Sequence, residues 1–164
     1  MILATHAIVG SAIMKLLPGH PVEGLVLAFA SHFVLDALPH WEYHLDSYEY
    51  NKKEPLKSVI YLNKKFLGDL VKMGLDGTFG LILSVIMFSG GPPAGGWIVL
   101  GAISAMLPDF LQFVYLQIRQ EPFITLQRLH IWAHSKYKFE KISFAGIVSQ
   151  IVIIILAGAI LWYN

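Results

Sequence analysis

The sequence contains no cysteine, which excludes a disulfide framework, thiolate metal sites and cysteine nucleophiles. Charge is scarce as well. Asp, Glu, Lys and Arg make up 14% of the chain, where about 25% is usual in soluble domains. The net charge of +1 leaves no basic excess to neutralise phosphates, so no nucleic-acid partner is expected. No basic segment precedes the apolar stretch from Met1 to Leu17, whose first basic residue is Lys15, and no small-residue cleavage site follows it. That stretch reads as a retained helix rather than a signal peptide.

Apolar residues are plentiful. They form 55% of 164 residues, and a chain this short has too little interior to hide so much apolar surface. The composition argues against a soluble globular enzyme. It predicts a single all-α domain over residues 1–164, a polytopic membrane helix bundle.

A spanning helix needs about 17–25 mostly apolar residues. Five segments qualify or come close: 2–17, 22–38, 73–88, 97–118 and 142–163. The last is flanked by Lys141 and by Trp162-Tyr163, as suits a membrane boundary. Pro18-Gly19-His20-Pro21 separates the first two and supplies both a breaker and a helix-starting proline. The long segments Asp46–Lys72 and Arg119–Lys141 mix bases with aromatic and aliphatic residues. They read as interfacial pieces or solvated connections, with an amphipathic stretch expected near Leu56–Leu67.

With five spans, those two segments lie on one side. They hold Lys52, Lys53, Lys57, Lys64, Lys65, Lys72, Arg119, Arg128, Lys136, Lys138 and Lys141, eleven of the twelve Lys and Arg residues. The positive-inside rule then puts that side, with the N-terminus, in the cytoplasm of an inner membrane. The uncharged Ser89–Gly96 loop is expected outside.

Ionisable groups in hydrocarbon are costly and usually functional. Here they are His6, His32, Asp36, Asp76 and Asp109, with His40, His130 and His134 near helix ends, and the topology places all eight toward the cytoplasmic half. His32 and Asp36 form an i, i+4 pair, and His130 and His134 repeat the spacing. Imidazole with carboxylate suits zinc and related divalent ions, whose charge would offset the burial of the acids. Interhelical hydrogen bonding is the plainer reading of either pair alone. His6-x3-Gly10 and Asp76-x3-Gly80, with Leu38-Pro39-His40 and Leu107-Pro108-Asp109, also suggest a tandem repeat of helical hairpins, although glycine and proline recur in many membrane helices.

Thr5-His6…Gly10, Ser31-His32…Asp36-Ala37-Leu38-Pro39-His40, Leu107-Pro108-Asp109 and His130…His134-Ser135 together resemble the membrane-bound metal-dependent hydrolases, a group linked to zinc-dependent phospholipase C-like proteins. The resemblance implies a hydrolase. Two elements differ from the family's pattern: Asp109 is followed by Phe110-Leu111 rather than a nearby second acid, and His130 is followed by Ile131.

Residues and resemblance together predict a hydrolase of a lipid or amphiphilic phosphoester, working at the cytoplasmic interface with one or two divalent ions, most readily zinc. His6, His32, Asp36, Asp109 and His134 are the expected metal ligands. Asp76, His40 and His130 are further ligands, supporting partners or the general base. No serine carries a nucleophile signature, so attack by water is the simpler chemistry. Two other readings stay open: an ion or metal transporter or relay subunit, and a noncatalytic membrane scaffold.

Overall fold

A computed structural model describes residues 1–135 and 144–159. Six α-helices account for most of them: α1 (Leu3–Leu16), α2 (Pro21–Asp36), α3 (Lys64–Phe88), α4 (Gly95–Ile118), α5 (Phe123–Ala133) and α6 (Phe144–Ala159). Between α2 and α3, strands β1 (Tyr48–Glu49) and β2 (Val59–Ile60) pair antiparallel around a single 3-10 turn at Pro55–Lys57. The all-helical expectation holds. Two helices, α3 and α4, are long and apolar enough to cross a membrane.

Helix α1 is the hub and packs against α2, α3, α4 and α6. Small residues make this possible. A Cβ at Gly10 would collide with the Gly101 backbone and with Ala105, and one at Gly80 would collide with Ala4, so α1, α3 and α4 approach backbone to backbone. The interior has two parts: Thr5, His6, Ser11, His32 and Asp36 are buried polar residues, and Ile8, Met14, Phe88 and Ile98 form a buried apolar cluster. Large apolar side chains face outward, among them Val22, Val26 and Val34 of α2, Phe79, Ile82 and Ile86 of α3, and Ile151, Ile155 and Leu156 of α6. A water-soluble bundle shows the reverse pattern.

The segments read as long connections are more ordered than expected. Helix α3 begins at Lys64, nine residues before the anticipated span, because the Asn63 side chain caps it by accepting from the Lys65 and Phe66 amides at 2.9 and 3.3 Å. The expected amphipathic piece at Leu56–Leu67 is instead the end of the 3-10 turn, then β2, then the first turn of α3. Arg119–Lys141 contains α5. Its lysines at 136, 138 and 141, and the Trp162-Tyr163 boundary of the last span, lie outside the described residues.

The β1–β2 hairpin is pinned to the end of α4. Tyr115 donates its hydroxyl to the Leu56 carbonyl at 2.7 Å, and Arg119, left-handed at φ 51°, donates its guanidinium to the Ser58 carbonyl at 2.8 Å. Buried Asp69 of α3 accepts from the Ser47 amide and hydroxyl, 2.8 and 2.7 Å away. At the far end of the bundle, the Lys15 ammonium donates to the carbonyls of Gly90 and Pro92 in the α3–α4 loop.

Candidate metal centre

Three features of the chain bring acids and imidazoles together at one end of the bundle. Helix α2 ends at Asp36, one turn after His32, so both side chains fall on its inner face. His6 lies in the first turn of α1, directly against them, its ring stacked on that of His32 with centroids 4.0 Å apart. Pro108 sits inside α4, where it removes an amide donor and loosens the helix. The neighbouring Ala105 carbonyl accepts from His32 Nδ1 at 2.9 Å, and Asp109 follows on the same helix.

Asp36 is the centre of the cluster. Its Oδ1 lies 3.2 Å from His6 Nε2, and its Oδ2 lies 3.2 Å from both His32 Nε2 and His130 Nε2. Asp109 Oδ1 closes the group, 3.6 Å from His32 Nε2 and 3.9 Å from His130 Nε2. His32, Asp36, Asp109 and His130 each offer one ligand atom within 4.8 Å of the others, and Asp36, His40 and His134 form a second such set. The two sets share Asp36. Beside the second set stands Glu42, whose Oε1 is 2.9 Å from His40 Nε2 and 2.7 Å from His134 Nε2. The α-amino group of Met1 lies 2.9 Å from Asp36 Oδ1 and 3.3 Å from Glu42 Oε1.

The proton inventory leaves a place that could hold a metal ion. Carbonyl and carboxylate oxygens only accept, and a neutral imidazole carries a single N–H. His32 Nδ1 donates to Ala105 O, His40 Nδ1 to Leu38 O at 2.6 Å, and His134 Nδ1 to Ser135 O at 3.3 Å. A neutral His32 therefore turns a bare Nε2 lone pair toward Asp36, whereas His40 and His134 reach Glu42 through Nε2 hydrogen bonds of 2.9 and 2.7 Å. The buried His32 Nε2 makes no hydrogen bond, and neither nitrogen of His6 does. Charging several adjacent buried imidazoles together is electrostatically costly, whereas a divalent cation between lone pair and carboxylate satisfies both. Ligands about 2.0–2.2 Å from one tetrahedral ion stand roughly 3.3–3.6 Å from each other, close to the 3.2 and 3.6 Å that separate His32 Nε2 from Asp36 and Asp109. An imidazole whose other nitrogen is tied to a carbonyl is also the usual arrangement of a ligating histidine.

The expected ligands thus converge. His6, His32, Asp36 and Asp109 meet, and His134 reaches the same place through Asp36 and Glu42. His40 and His130, expected as further ligands or a base, lie directly in the two sets. Asp76 stands apart. Its carboxylate accepts from the Leu3 and Ala4 amides at 2.6 and 3.2 Å, which caps the start of α1 and holds His6 in register. His20, at the other end of the bundle, is exposed and faces Glu23.

Two contributors escape a reading of the sequence. Glu42 lies in the irregular segment after α2, where no periodicity marks a face; His40-x-Glu42 was the only available signal. Burial would raise its carboxyl, yet the imidazoles of His134 and His40 outweigh that and hold it well below the ordinary carboxylate range. Gln150 of α6 is the other. Its Oε1 accepts from the Thr5 hydroxyl and the Ile2 amide, each at 3.2 Å, and its Nε2 donates to the Trp41 carbonyl at 3.0 Å. It ties α6 to the start of α1 and to the segment carrying His40 and Glu42. Such an amide in an apolar helix is a sequence signal in itself.

No family model matches this chain, and neither the curated proteins nor the solved structures contain a significant match to it.

Proposed function

We propose that this protein is a multi-pass membrane hydrolase that uses one or two divalent ions, most readily zinc, to cleave a phosphoester of a lipid or amphiphilic substrate. The observation that carries the reading is the convergence of the Nε2 atoms of His6, His32 and His130 on the carboxylate of Asp36, each at 3.2 Å, with His32 Nδ1 tied back to the Ala105 carbonyl. The resemblance to membrane-bound metal-dependent hydrolases points the same way. A noncatalytic scaffold has no use for the unpaired imidazole nitrogens of buried His6 and His32, and a transport pathway needs polar groups through the outer half, where α3 and α4 are apolar from Leu81 to Phe88 and from Ile98 to Leu100 apart from Ser84.

In this reading α1, α2, α3, α4 and α6 cross the inner membrane, with the N-terminus and the cluster at the cytoplasmic face and α5 lying along the interface. Trp132, 82% exposed on α5, suits the headgroup layer. His32, Asp36, Asp109 and His130 hold one ion, and Asp36, His40, His134 and Glu42 hold the second, with Asp36 between them and His6 completing the first. A bound ion supplies Lewis acidity and a water that ionises near neutral pH. The chain's own residues orient it: Ala105 fixes the His32 ring, Asp76 fixes the start of α1, and Gln150 fixes the His40–Glu42 segment. Were only the first ion bound, Glu42 would remain outside its coordination and would be the carboxylate placed to take the proton from the attacking water. Lysines on the same side draw the anionic headgroup in.

The test is direct. Full-length protein in lipid nanodiscs, purified without chelator, should contain one or two equivalents of zinc or a related ion by elemental analysis. It should release phosphate or phosphorylated headgroup from lipid phosphoesters, lose that activity with chelator and regain it with zinc or manganese. Bound metal without hydrolysis across a broad phosphoester panel would favour a transport role; no bound metal would leave the scaffold.

A further inference from the structure

Beside the cluster, α2, α4 and α5 leave a slot of about 10 Å³, lined by Phe29, Phe33, Pro108, Leu111, Leu126, Gln112, Gln127 and His130. Its walls are chiefly apolar. One of its polar residues is Gln127, which is 3% exposed and whose Oε1 accepts no hydrogen bond. A buried acceptor left without a donor is destabilising, and the sequence places this one a single helical turn before His130, on the same face of α5. The volume is decisive for what fits. Roughly 10–15 Å³ is the room one water needs, so the slot admits a hydroxyl and excludes a chain.

We propose that this slot is a hydroxyl subsite of the substrate, with Gln127 Oε1 as the acceptor. Resting on the phosphoester reading above, the inference narrows the substrate class to phosphoesters of a polyol: an O–H one or two carbons from the phosphorus-bearing oxygen enters the slot while the phosphate faces His130, Asp36 and Asp109. The carbon bearing the hydroxyl lies against Phe33 and Leu126. A site built around a buried acceptor discriminates strongly against a ligand lacking the donor, because the acceptor then stays unpaired. Gln127 is a specificity residue here rather than a catalytic one. A resident water offers the same O–H chemistry and is the rival occupant that the experiment must separate.

The experiment compares two soluble probes on the zinc-loaded full-length protein: 1-O-hexyl-glycero-3-phosphocholine, which has a free 2-hydroxyl, and its 2-deoxy counterpart. Binding is read by calorimetry at a temperature where turnover is negligible, with metal content measured in parallel. The hydroxylated probe should bind about tenfold or more tightly. Gln127→Leu should abolish that preference by weakening the hydroxylated probe alone, at unchanged metal content, and Gln127→Glu, which keeps an acceptor, should preserve it. Equal affinities in the unmutated protein would show that the slot holds only water and would overturn the subsite, while leaving hydrolysis intact. A preference that survives Gln127→Leu would overturn the role of Gln127. Failure of both probes to bind metal-loaded protein would overturn the lipid phosphoester reading along with it. The comparison between probes needs no variant, so it decides the matter even if Gln127→Leu does not fold.

Discussion

His130 sets its Nε2 3.2 Å from Asp36 Oδ2, although 94 residues of chain separate the two. The contact joins the end of α2 to α5, an element that also packs against α4. Asp36 meanwhile belongs to both candidate ligand sets, so its loss is the most informative single change. Asp36→Asn preserves shape and removes the charge. Bound divalent metal, measured by elemental analysis of purified protein, should fall by at least 90% in this variant, while the α-helical circular dichroism stays within a few per cent of the parent. Retention of a full equivalent would mean that the cluster is held by hydrogen bonds alone.

The orienting contacts can be tested without touching a ligand. Asp76 accepts two amides at the start of α1, so Asp76→Ala should destabilise the fold by about 1–2 kcal/mol, the usual loss for a capping side chain. Metal affinity should fall severalfold through the shift of His6. Denaturant unfolding and a competitive chelator titration measure the two effects separately. An Asp76→Asn variant that keeps normal stability but loses hydrolysis would instead return Asp76 to the chemistry.

The ends of the two i, i+4 patterns show how far the sequence could be read. His32 and Asp36 lie within one helix, and their spacing places them together as expected. His130 and His134 share the same spacing but not the same helix: α5 ends at Ala133, and His134 is extended, with φ −64° and ψ 133°. The two rings stay near-parallel with centroids 6.1 Å apart, but His130 meets Asp36 while His134 meets Glu42. Helical periodicity carries information only as far as the helix runs. The same limit hid Glu42, which no repeat marks, and left Asp76 open among ligand, supporting partner and base; the α3 register sets it against the first amides of α1. The all-α class and the polar interior were legible because apolar composition and buried ionisable groups do not depend on register. The 64–72 stretch was not legible as helix because its lysines and Asp69 read as solvent, although Asn63 was a capping signal.

Backbone contact between α1 and α4 should leave no room at Gly10. Any Cβ there meets the Gly101 backbone and Ala105, and both are main-chain or helix-fixed atoms that cannot swing aside. Gly10→Val should destabilise the protein by roughly 1–3 kcal/mol through overpacking, read as a lower thermal midpoint in detergent. Gly74→Val, where a side chain meets nothing within 4 Å, is the matched control and should lie within about 1 kcal/mol of the parent.

Topology is open to a simple chemical test, because the chain has no cysteine of its own. Lys52 lies in the hairpin segment at the lysine-rich end, and Gly90 lies in the α3–α4 loop at the other. With the N-terminus cytoplasmic, Gly90→Cys should react with a membrane-impermeant maleimide in intact cells, and Lys52→Cys should react only after permeabilisation. The opposite pattern would invert the orientation. Labelling of both in intact cells would show that the bundle does not cross the membrane.

The division of ligands into two sets predicts unequal effects from the two remaining carboxylates. Asp109 faces His32 and His130, while Glu42 faces His40 and His134, and Asp36 alone is common to both groups. If two ions bind, Glu42→Gln should release about half of the metal and leave the rest bound with little change in affinity. Asp109→Asn should release the other half. The double variant should then behave as Asp36→Asn does. If one ion binds, the variants part differently: Asp109→Asn should weaken it by one to two orders of magnitude, as loss of a direct ligand does, and Glu42→Gln should weaken it by about tenfold or less as a supporting contact. Titration of zinc against a chromophoric chelator resolves the cases, since two ions give two steps and one ion gives one. Equal, complete loss of metal in both single variants would contradict the division into sets and place all three carboxylates around a single ion.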